Sequence, residues 1–513
     1  MEIRQLKEKI NMERLAGRGR GQTTVEGEIT LPGGLREEAR VLEAGGMAVI
    51  DAAEALQDRV TVSGRVIFHA LYTQGDPGKV SAMEATADFT HLLEAPGAQP
   101  RDVCRVSAQV EHTEASASGG RLNLRAVVGV SGRTITRQPV EALSGLQGGE
   151  GLQTSAKGIS LRRTVAEGSS ETLLREEFLL PAGLNVRETL YGTATAQLSE
   201  TSGGFGRASM SGQVNLEAVH ASSMPGKPVV ITRHTLPFEH TVELTGEDGE
   251  QLAGRITVRD VAVASQDGED GERVLRAEVL LGLEAWADRQ ENVTVLDDAY
   301  TVSGDDLRLT GQTVSCRTDD RQIRTAESGK CMLMLPEGAP PVRSVLAGFA
   351  VPVMTGREQI GGRLNAEGML EITLLYMTDD DPAPVVVRQE EPFRVTFAAE
   401  TSEDDFITLS ASNVDVSAIT SDRVEMKYIL RMEASGVKAE EARLVTEATP
   451  VAAGDMESGI VLYFVQPGET LWDIARSYRV PLQEVKALNP EITGEPRDGQ
   501  GVVIWRREGS TLA

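Results

Sequence analysis

Apolar and polar residues alternate with a period of two along much of this chain, and the alternating stretches recur. One stretch reads Arg59-Val60-Thr61-Val62-Ser63-Gly64 and continues with Val66, Phe68, Ala70 and Tyr72 at every second position. A second reads Arg207-Ala208-Ser209-Met210-Ser211-Gly212, then Val214, Leu216, Ala218 and His220. A third reads Arg363-Leu364-Asn365-Ala366-Glu367-Gly368, then Leu370, Ile372, Leu374 and Tyr376. In each, an Arg stands five residues before a Gly, and a Tyr, His or Tyr stands eight after it. Period-two placement is what a strand with one buried face requires, because successive side chains point to opposite sides of a sheet. The shared Gly fits a bulge or a close backbone crossing, where a side chain would not fit.

The register continues past these stretches. Phe89, Phe238 and Phe393 follow their glycines by 25, 26 and 25 residues, one large anchor per copy. Paired strand candidates come next, at 103–110 with 122–130, 256–263 with 274–283, and 406–414 with 424–432. Segments such as 115–120 and 265–272, rich in Ser, Gly and Asp, read as hairpin turns between them. The pattern predicts three mainly antiparallel, sandwich-like β domains at 36–134, 171–300 and 325–436. The remainder reads as an N-terminal tail, 1–35, and linkers at 135–170, 301–324 and 437–460.

A different pattern occupies 461–507. It predicts a strand, a tight turn, two short helices and a return strand. Thr470 is placed to cap the first helix, with Asp473 closing a capping box. Leu471, Ile474, Ala475 and Tyr478 share one face of that helix. Leu482, Val485 and Leu488 form the buried face of the second, and Val502 and Ile504 point inward from the last strand. So small a unit can only just bury a core, so Trp472 is expected to supply much of it.

Composition narrows the function. A chain of 513 residues holds three or four domains, and with only 4% aromatic residues their cores rest on aliphatic side chains. The formal net charge of -26 argues against nucleic acid or an anionic membrane surface as partner. The basic cluster Gly17-Arg18-Gly19-Arg20-Gly21, beside Arg14, is too small to reverse that and reads as a solvated flexible tail. Three scattered cysteines, Cys104, Cys316 and Cys331, give no disulfide framework and fit a reducing compartment. The charged start, Met1 to Lys9, lacks a signal-peptide pattern, and no apolar run is long enough to span a membrane. The expected location is the cytoplasm.

No catalytic constellation stands out, so the chain reads as a non-enzyme that needs no cofactor and no metal. Phosphate loops, nucleophile elbows and zinc motifs are missing from the sequence. His220 occupies the repeat's Tyr position and is expected to pack and hydrogen-bond there. His234 and His240, with no Cys nearby, make a poor metal site. The acidic turn Asp379-Asp380-Asp381-Pro382 lacks the spaced ligands of a calcium loop.

The repeats resemble the spore-coat-associated domain of unknown function numbered 3794, which occurs in tandem in Gram-positive spore formers. The matching stretches are 64–72, 368–376, Pro96-Gly97-Ala98-Gln99-Pro100 and Val295-Leu296-Asp297-Asp298-Ala299-Tyr300, and His220 departs from the pattern. The C-terminal unit is similar to a βααβ LysM module in its order of elements, its helix spacing and Asn489-Pro490. That resemblance implies a shallow groove for N-acetylglucosamine glycans, walled by Gly468, Glu469, Thr470 and Leu471 and by Asn489, Pro490, Glu491 and Ile492. Glu469 replaces the family's usual Asp, and Trp505, open to both a structural and a contact role, replaces a closing Pro.

Tandem repeats with a terminal LysM module look like a spore coat morphogenetic protein of the clostridial type. The resemblance implies a scaffold made in the mother cell cytoplasm that gathers at the forespore surface and recruits coat proteins. Its implied partner is the coat's basement-layer morphogenetic ATPase, with the LysM module as the protein contact. The alternative is a module that binds peptidoglycan or a chitin-like glycan at the cortex or wall.

Overall fold

The computed structural model describes residues 3–32, 39–75, 79–149, 151–268, 271–452 and 458–506. The expected boundaries at 36 and 507 therefore lie outside the described residues. The described residues are almost entirely β, apart from a short 3-10 turn at Ala182–Leu184 and two short α-helices in the C-terminal module. No helix among the described residues is long and apolar enough to cross a membrane.

The first repeat comprises β1 (Arg4–Ile10), β2 (Arg14–Thr30), β3 (Ala39–Leu56), β4 (Arg59–Gln74), β5 (Val80–Glu94), β6 (Val103–Ser118), β7 (Arg121–Thr136) and β8 (Val140–Gln147). The antiparallel sheet β3-β4-β5 packs on the antiparallel sheet β2-β7-β6. Val62, Val66, Phe68 and Ala70 from one meet Leu122, Leu124, Ala126 and Val128 from the other, all fully buried or nearly so. Each such burial contributes about 1.5–3 kcal/mol for a large aliphatic or aromatic side chain. Gly119 and Gly120 join β6 to β7 with φ of 57° and 73°, the left-handed pair that a tight hairpin demands.

The second repeat comprises β9 (Leu152–Leu179), β10 (Val186–Gly203), β11 (Arg207–Ser222), β12 (Val229–Glu243), the short β13 (Thr245–Gly246), β14 (Gln251–Asp267) and β15 (Arg273–Thr301). The third comprises β16 (Asp306–Met334), β17 (Ser344–Ile360), β18 (Arg363–Met377), β19 (Val385–Phe397), β20 (Phe406–Thr420) and β21 (Arg423–Val451). Sheets β10-β11-β12 and β17-β18-β19 take the place of β3-β4-β5, packed over β9-β15-β14 and β16-β21-β20.

The recurring glycine and phenylalanine are one device. Gly64, Gly212 and Gly368 lie directly opposite Phe89, Phe238 and Phe393 on the neighbouring strand. A methyl group on Gly212 would sit 2.0 Å from the Gln197 carbonyl oxygen and 2.8 Å from the Phe238 ring. The carbonyl comes this close because the strand on the other side carries a bulge in all three repeats, near residues 51, 199 and 355. The aromatic ring covers the bare backbone of the glycine, a pairing known to hold sheet register.

His220 is fully buried in the slot that Tyr72 and Tyr376 fill elsewhere. It bonds Thr189 Oγ1 at 2.9 Å and Thr232 Oγ1 at 2.8 Å. Burial, with His234 nearby, pushes its pKa down to about 4. His234 stacks on Phe178 with ring centres 4.3 Å apart, and His240 bonds Ser170.

The described residues of the segments expected to be a tail and linkers are mostly strand. Four strands run unbroken for 28 or 29 residues, β9, β15, β16 and β21, against a mean of about five or six. Half of each long strand extends past its domain sheet and continues the same antiparallel ladder as a two-stranded ribbon, β9 with β15 and β16 with β21. The first repeat breaks each long strand in two, so β1 pairs with β8. Three such ribbons, one per repeat, meet at a shared apolar cluster. Leu143, Leu296 and Val445 come together there with Leu146, Ala299 and Ala448, each set contributed once by every repeat. The glycine-rich run 17–21 lies within β2, paired to β7, rather than in a solvated tail. Its glycines admit the backbone of β5, since a methyl on Gly19 would meet the Glu94 carbonyl at 1.9 Å. Arg20 reaches the third repeat, bonding the Asp405 carbonyl at 2.7 Å over the Phe406 ring.

A buried ionic cluster sits where these ribbons and the domain sheets join. Arg317, 2% exposed, uses all five N–H donors. It donates to Glu13 of the first repeat, to Thr164 at 3.0 Å and Asp288 at 2.5 Å of the second, and to Asp320 of its own at 2.6 and 3.0 Å. Burial alone would lower its pKa, but Asp320, Asp288 and Glu13 outweigh that and raise it. Arg137 and Arg162 close the cluster on Glu13 at 2.8 Å and Asp288 at 2.9 Å.

Two outcomes follow for stability. Arg317→Met leaves Glu13 and Asp288 buried without their shared cation, and denaturant unfolding should show a loss of about 3–5 kcal/mol. His220 binds a proton near pH 6.5 when unfolded and near pH 4 when folded, so its stabilising share is full above 6.5 and shrinks as pH falls toward 4, by at most about 3 kcal/mol. Unfolding of His220→Gln across that window should show a shallower decline than the parent; an identical slope would refute the assignment.

Candidate functional site

The C-terminal module is built from β22 (Gly459–Phe464), α1 (Leu471–Ser477), α2 (Leu482–Leu488) and β23 (Gly501–Arg506). Strands β22 and β23 pair antiparallel, Ile460 opposite Trp505 and Phe464 opposite Gly501. Thr470 caps α1 in a complete capping box with Asp473, the hydroxyl accepting from the Asp473 N–H at 3.2 Å and the carboxylate from the Thr470 N–H at 2.9 Å. Leu471, Ile474 and Ala475 of α1 pack with Val485, Val502 and Ile504. Leu488, expected to be buried, is 39% exposed at the end of α2.

Of the eight residues expected to wall a groove, three are open to solvent: Gly468, Pro490 and Glu491. Gly468 turns the loop with φ of 81°. The others have work inside the module. Glu469 bends back to accept from the Tyr463 hydroxyl at 2.7 Å and the Gln466 N–H at 2.9 Å, and this bond raises the Tyr463 pKa. Leu471 is buried, Thr470 is the cap, and Ile492 packs half-buried against the core. Asn489, 1% exposed, donates to the carbonyls of Val485 and Val503 at 2.7 and 2.8 Å and accepts from the Val503 N–H at 2.7 Å. It thereby ties the end of α2 to β23.

The module is docked on the second repeat. Tyr300, at the end of β15, is fully buried in the module's core. Its hydroxyl donates to the Val480 carbonyl at 2.8 Å, and burial with Asp298 nearby pushes its pKa up to about 12. Trp472 lies edge-on to the Tyr300 ring at 5.1 Å, and its Nε1 donates to Asp298 at 2.8 Å beside Arg476 at 2.7 Å. Trp472 is therefore half-buried at the joint rather than central to the module. Arg479 holds a left-handed backbone, φ of 51°, which is strained for a side chain of this kind. Its guanidinium binds the carbonyls of Thr301 and Gly304, both at 2.8 Å. The sequence signal for the dock was the segment 295–300, whose Tyr300 is one of only seven tyrosines.

The outward face of the β22–β23 pair is apolar and exposed. Ile460, Leu462 and Phe464 alternate along one face of β22 at 75%, 58% and 57% exposure, with Trp505 beside them on β23 at 41%. A continuous apolar face of this kind marks a contact surface. Sequence reasoning placed the module but not this face, since alternation alone does not say which side is covered.

Tyr300→Ala removes the ring that crosses the joint. The expected cost is about 3–5 kcal/mol, read as a separate, earlier melting step with a red shift of Trp472 fluorescence. A single unchanged transition would show that the joint contributes little.

A family model described as the SipL, SPOCS domain matches residues 39–118, the stretch that spans β3 to β6. A LysM domain model matches residues 463–495, from the end of β22 through α2. No curated protein and no solved structure matches the chain. The chain thus carries a sporulation-related SPOCS domain and a C-terminal LysM domain on a nearly all-β body.

Proposed function

We propose that this chain is a non-enzymatic scaffold of spore coat assembly, which recruits or tethers coat proteins at the forespore surface through its LysM module. The observation that carries the reading is the pairing of a sporulation-related domain with a LysM module whose exposed strand face is apolar. Ile460, Leu462 and Phe464 suit a protein surface better than a hydrated sugar, because their burial needs an apolar counterpart. The dock adds to this. Tyr300 and Arg479 hold the module at a set orientation, so a partner bound to it is placed relative to all three repeats. The second and third repeats share the architecture of the first, which supports reading all three as tandem copies of the domain numbered 3794. The partner in this reading is the coat's morphogenetic ATPase, met in the mother cell cytoplasm.

Glycan binding is the second reading, favoured by the LysM match and by the open Gly468, Pro490 and Glu491. One experiment separates them. The full chain and an Ile460→Ser, Leu462→Ser, Phe464→Ser variant are tested for retention on the coat ATPase and on purified peptidoglycan, with and without chitin oligomers, and tagged versions are followed in sporulating cells. The scaffold reading expects the variant to keep its fold, lose the ATPase by at least about tenfold, and miss the forespore surface. Retention on peptidoglycan alone, competed by the oligomers and untouched by the variant, would overturn it in favour of the glycan.

A further inference from the structure

Where the three repeats converge, beside the Arg317 cluster, they line a partly open cavity of about 70 Å³. One water needs about 10–15 Å³ by this measure, so the space suits several waters or one small polyatomic ion. Its lining is unusual for a chain of net charge -26. Arg105, Arg133, Arg137, Arg255 and Arg317 face it with one carboxylate, Asp320.

The arginines are not equally matched. Arg317 and Arg137 are satisfied by Glu13, Asp288, Asp320 and Glu167. Arg105 and Arg255 share Glu284 at 3.8 and 3.6 Å, long for ion pairs, and Arg105 reaches Glu167 only at 3.8 Å. Arg133 has no carboxylate partner among the described residues. It donates to the Ser435 carbonyl at 3.1 Å, its guanidinium carbon lies 5.9 Å from the centre of the Phe406 ring, and its Nε is buried without a partner. The Nε of Arg255 is buried and unpartnered as well.

Arg105 and Arg133 are also direct cross-strand partners between β6 and β7. Like charges in that position repel. Burial holds the Arg133 pKa below the ordinary arginine value; Asp320 and Asp405 offset part of that from a distance, and Arg105 and Arg317 add to it. A buried guanidinium compensated only in part is unfavourable, and a folded chain carries it at a place where a counter-ion can enter. The planar fork of arginine suits an oxyanion, which can accept from two guanidinium groups at once.

We propose that this cavity binds a small tetrahedral oxyanion of the phosphate class, held by Arg105, Arg133 and Arg255 between the first two repeats and closed by the third. Such an ion would join the repeats at their common junction and couple anion supply to the rigidity of the scaffold. Its source is either free phosphate or the phosphate group of a small ester.

The full chain is titrated with inorganic phosphate and, separately, glycerol phosphate, at constant ionic strength set with sodium chloride, and followed by calorimetry and thermal melting. The expected result is one site per chain, a melting temperature that rises with phosphate and not with chloride, and protection from hydrogen exchange at 103–107 and 133–137. Tighter binding by either probe assigns the source. Arg133→Met is expected to melt no lower than the parent without phosphate and to bind it at least about tenfold more weakly. Should that variant fail to fold, the exchange measurement on the parent decides. Equal effects of phosphate and chloride on the parent, or a full phosphate response in a folded Arg133→Met, would overturn the proposal.

Discussion

The structure depends on one arginine being fully satisfied inside the protein. Arg317 lies where the two-stranded ribbons and the domain sheets part company, and its five donors reach acceptors on all three repeats. A guanidinium is a rigid planar fork. Acceptors must lie in its plane at set positions, so three bodies that each contribute at least one can adopt few mutual rotations. Apolar contacts above and below, such as the Leu143, Leu296 and Val445 layer, supply attraction without that selectivity. A second apolar layer, with Leu71, Val219 and Leu375, joins the three outer sheets in the same way. The ionic cluster therefore sets the angle at which these layers meet, and the layers keep water out of it.

This arrangement also explains what the sequence revealed and what it hid. The domain sheets were readable because each strand buries one face against a sheet of its own repeat, which produces the period-two pattern in place. The glycine and phenylalanine spacing was readable for the same reason, although only the register shows that Gly64 and Phe89 are one contact. The hub strands were not readable. Their apolar residues, Val140, Ala142, Val295 and Leu444 among them, pack against other repeats. Local reading instead sees short weak alternation among charges and glycines, as in 157–165, and takes it for a connector. The run 17–21 misled for a related reason. Its glycines answer to the backbone of β5, some seventy residues away, and a sequence window carries no trace of that.

The C-terminal module divides in the same manner. Its capping box, its helix faces and the inward Val502 and Ile504 were all visible, because each is a local or nearest-neighbour constraint. The groove assignment rested on resemblance, and the fold divides it. Gly468, Pro490 and Glu491 remain outside, whereas Leu471 and Asn489 are committed to the interior. Trp472 shows the limit of arguing from size alone. A small domain needs a large side chain in its core, and here Tyr300 of the second repeat supplies it from outside. That loan makes the module part of the body.

Charge is distributed in a way that follows from this assembly. The chain is strongly acidic as a whole, yet cations crowd its centre, at Arg317, Arg137, Arg162, Arg105, Arg133 and Arg255. Acidic outer surfaces repel one another at short range, within a screening length of about 8–10 Å, which opposes random association of copies. Attraction is then left to surfaces that carry little charge. The exposed face of β22 is one, bearing Ile460, Leu462 and Phe464 with no charged residue between them. A body whose charge repels its own copies, with an uncharged apolar face left open on β22, fits the scaffold role proposed above, which needs a chain to avoid its own copies while holding a partner.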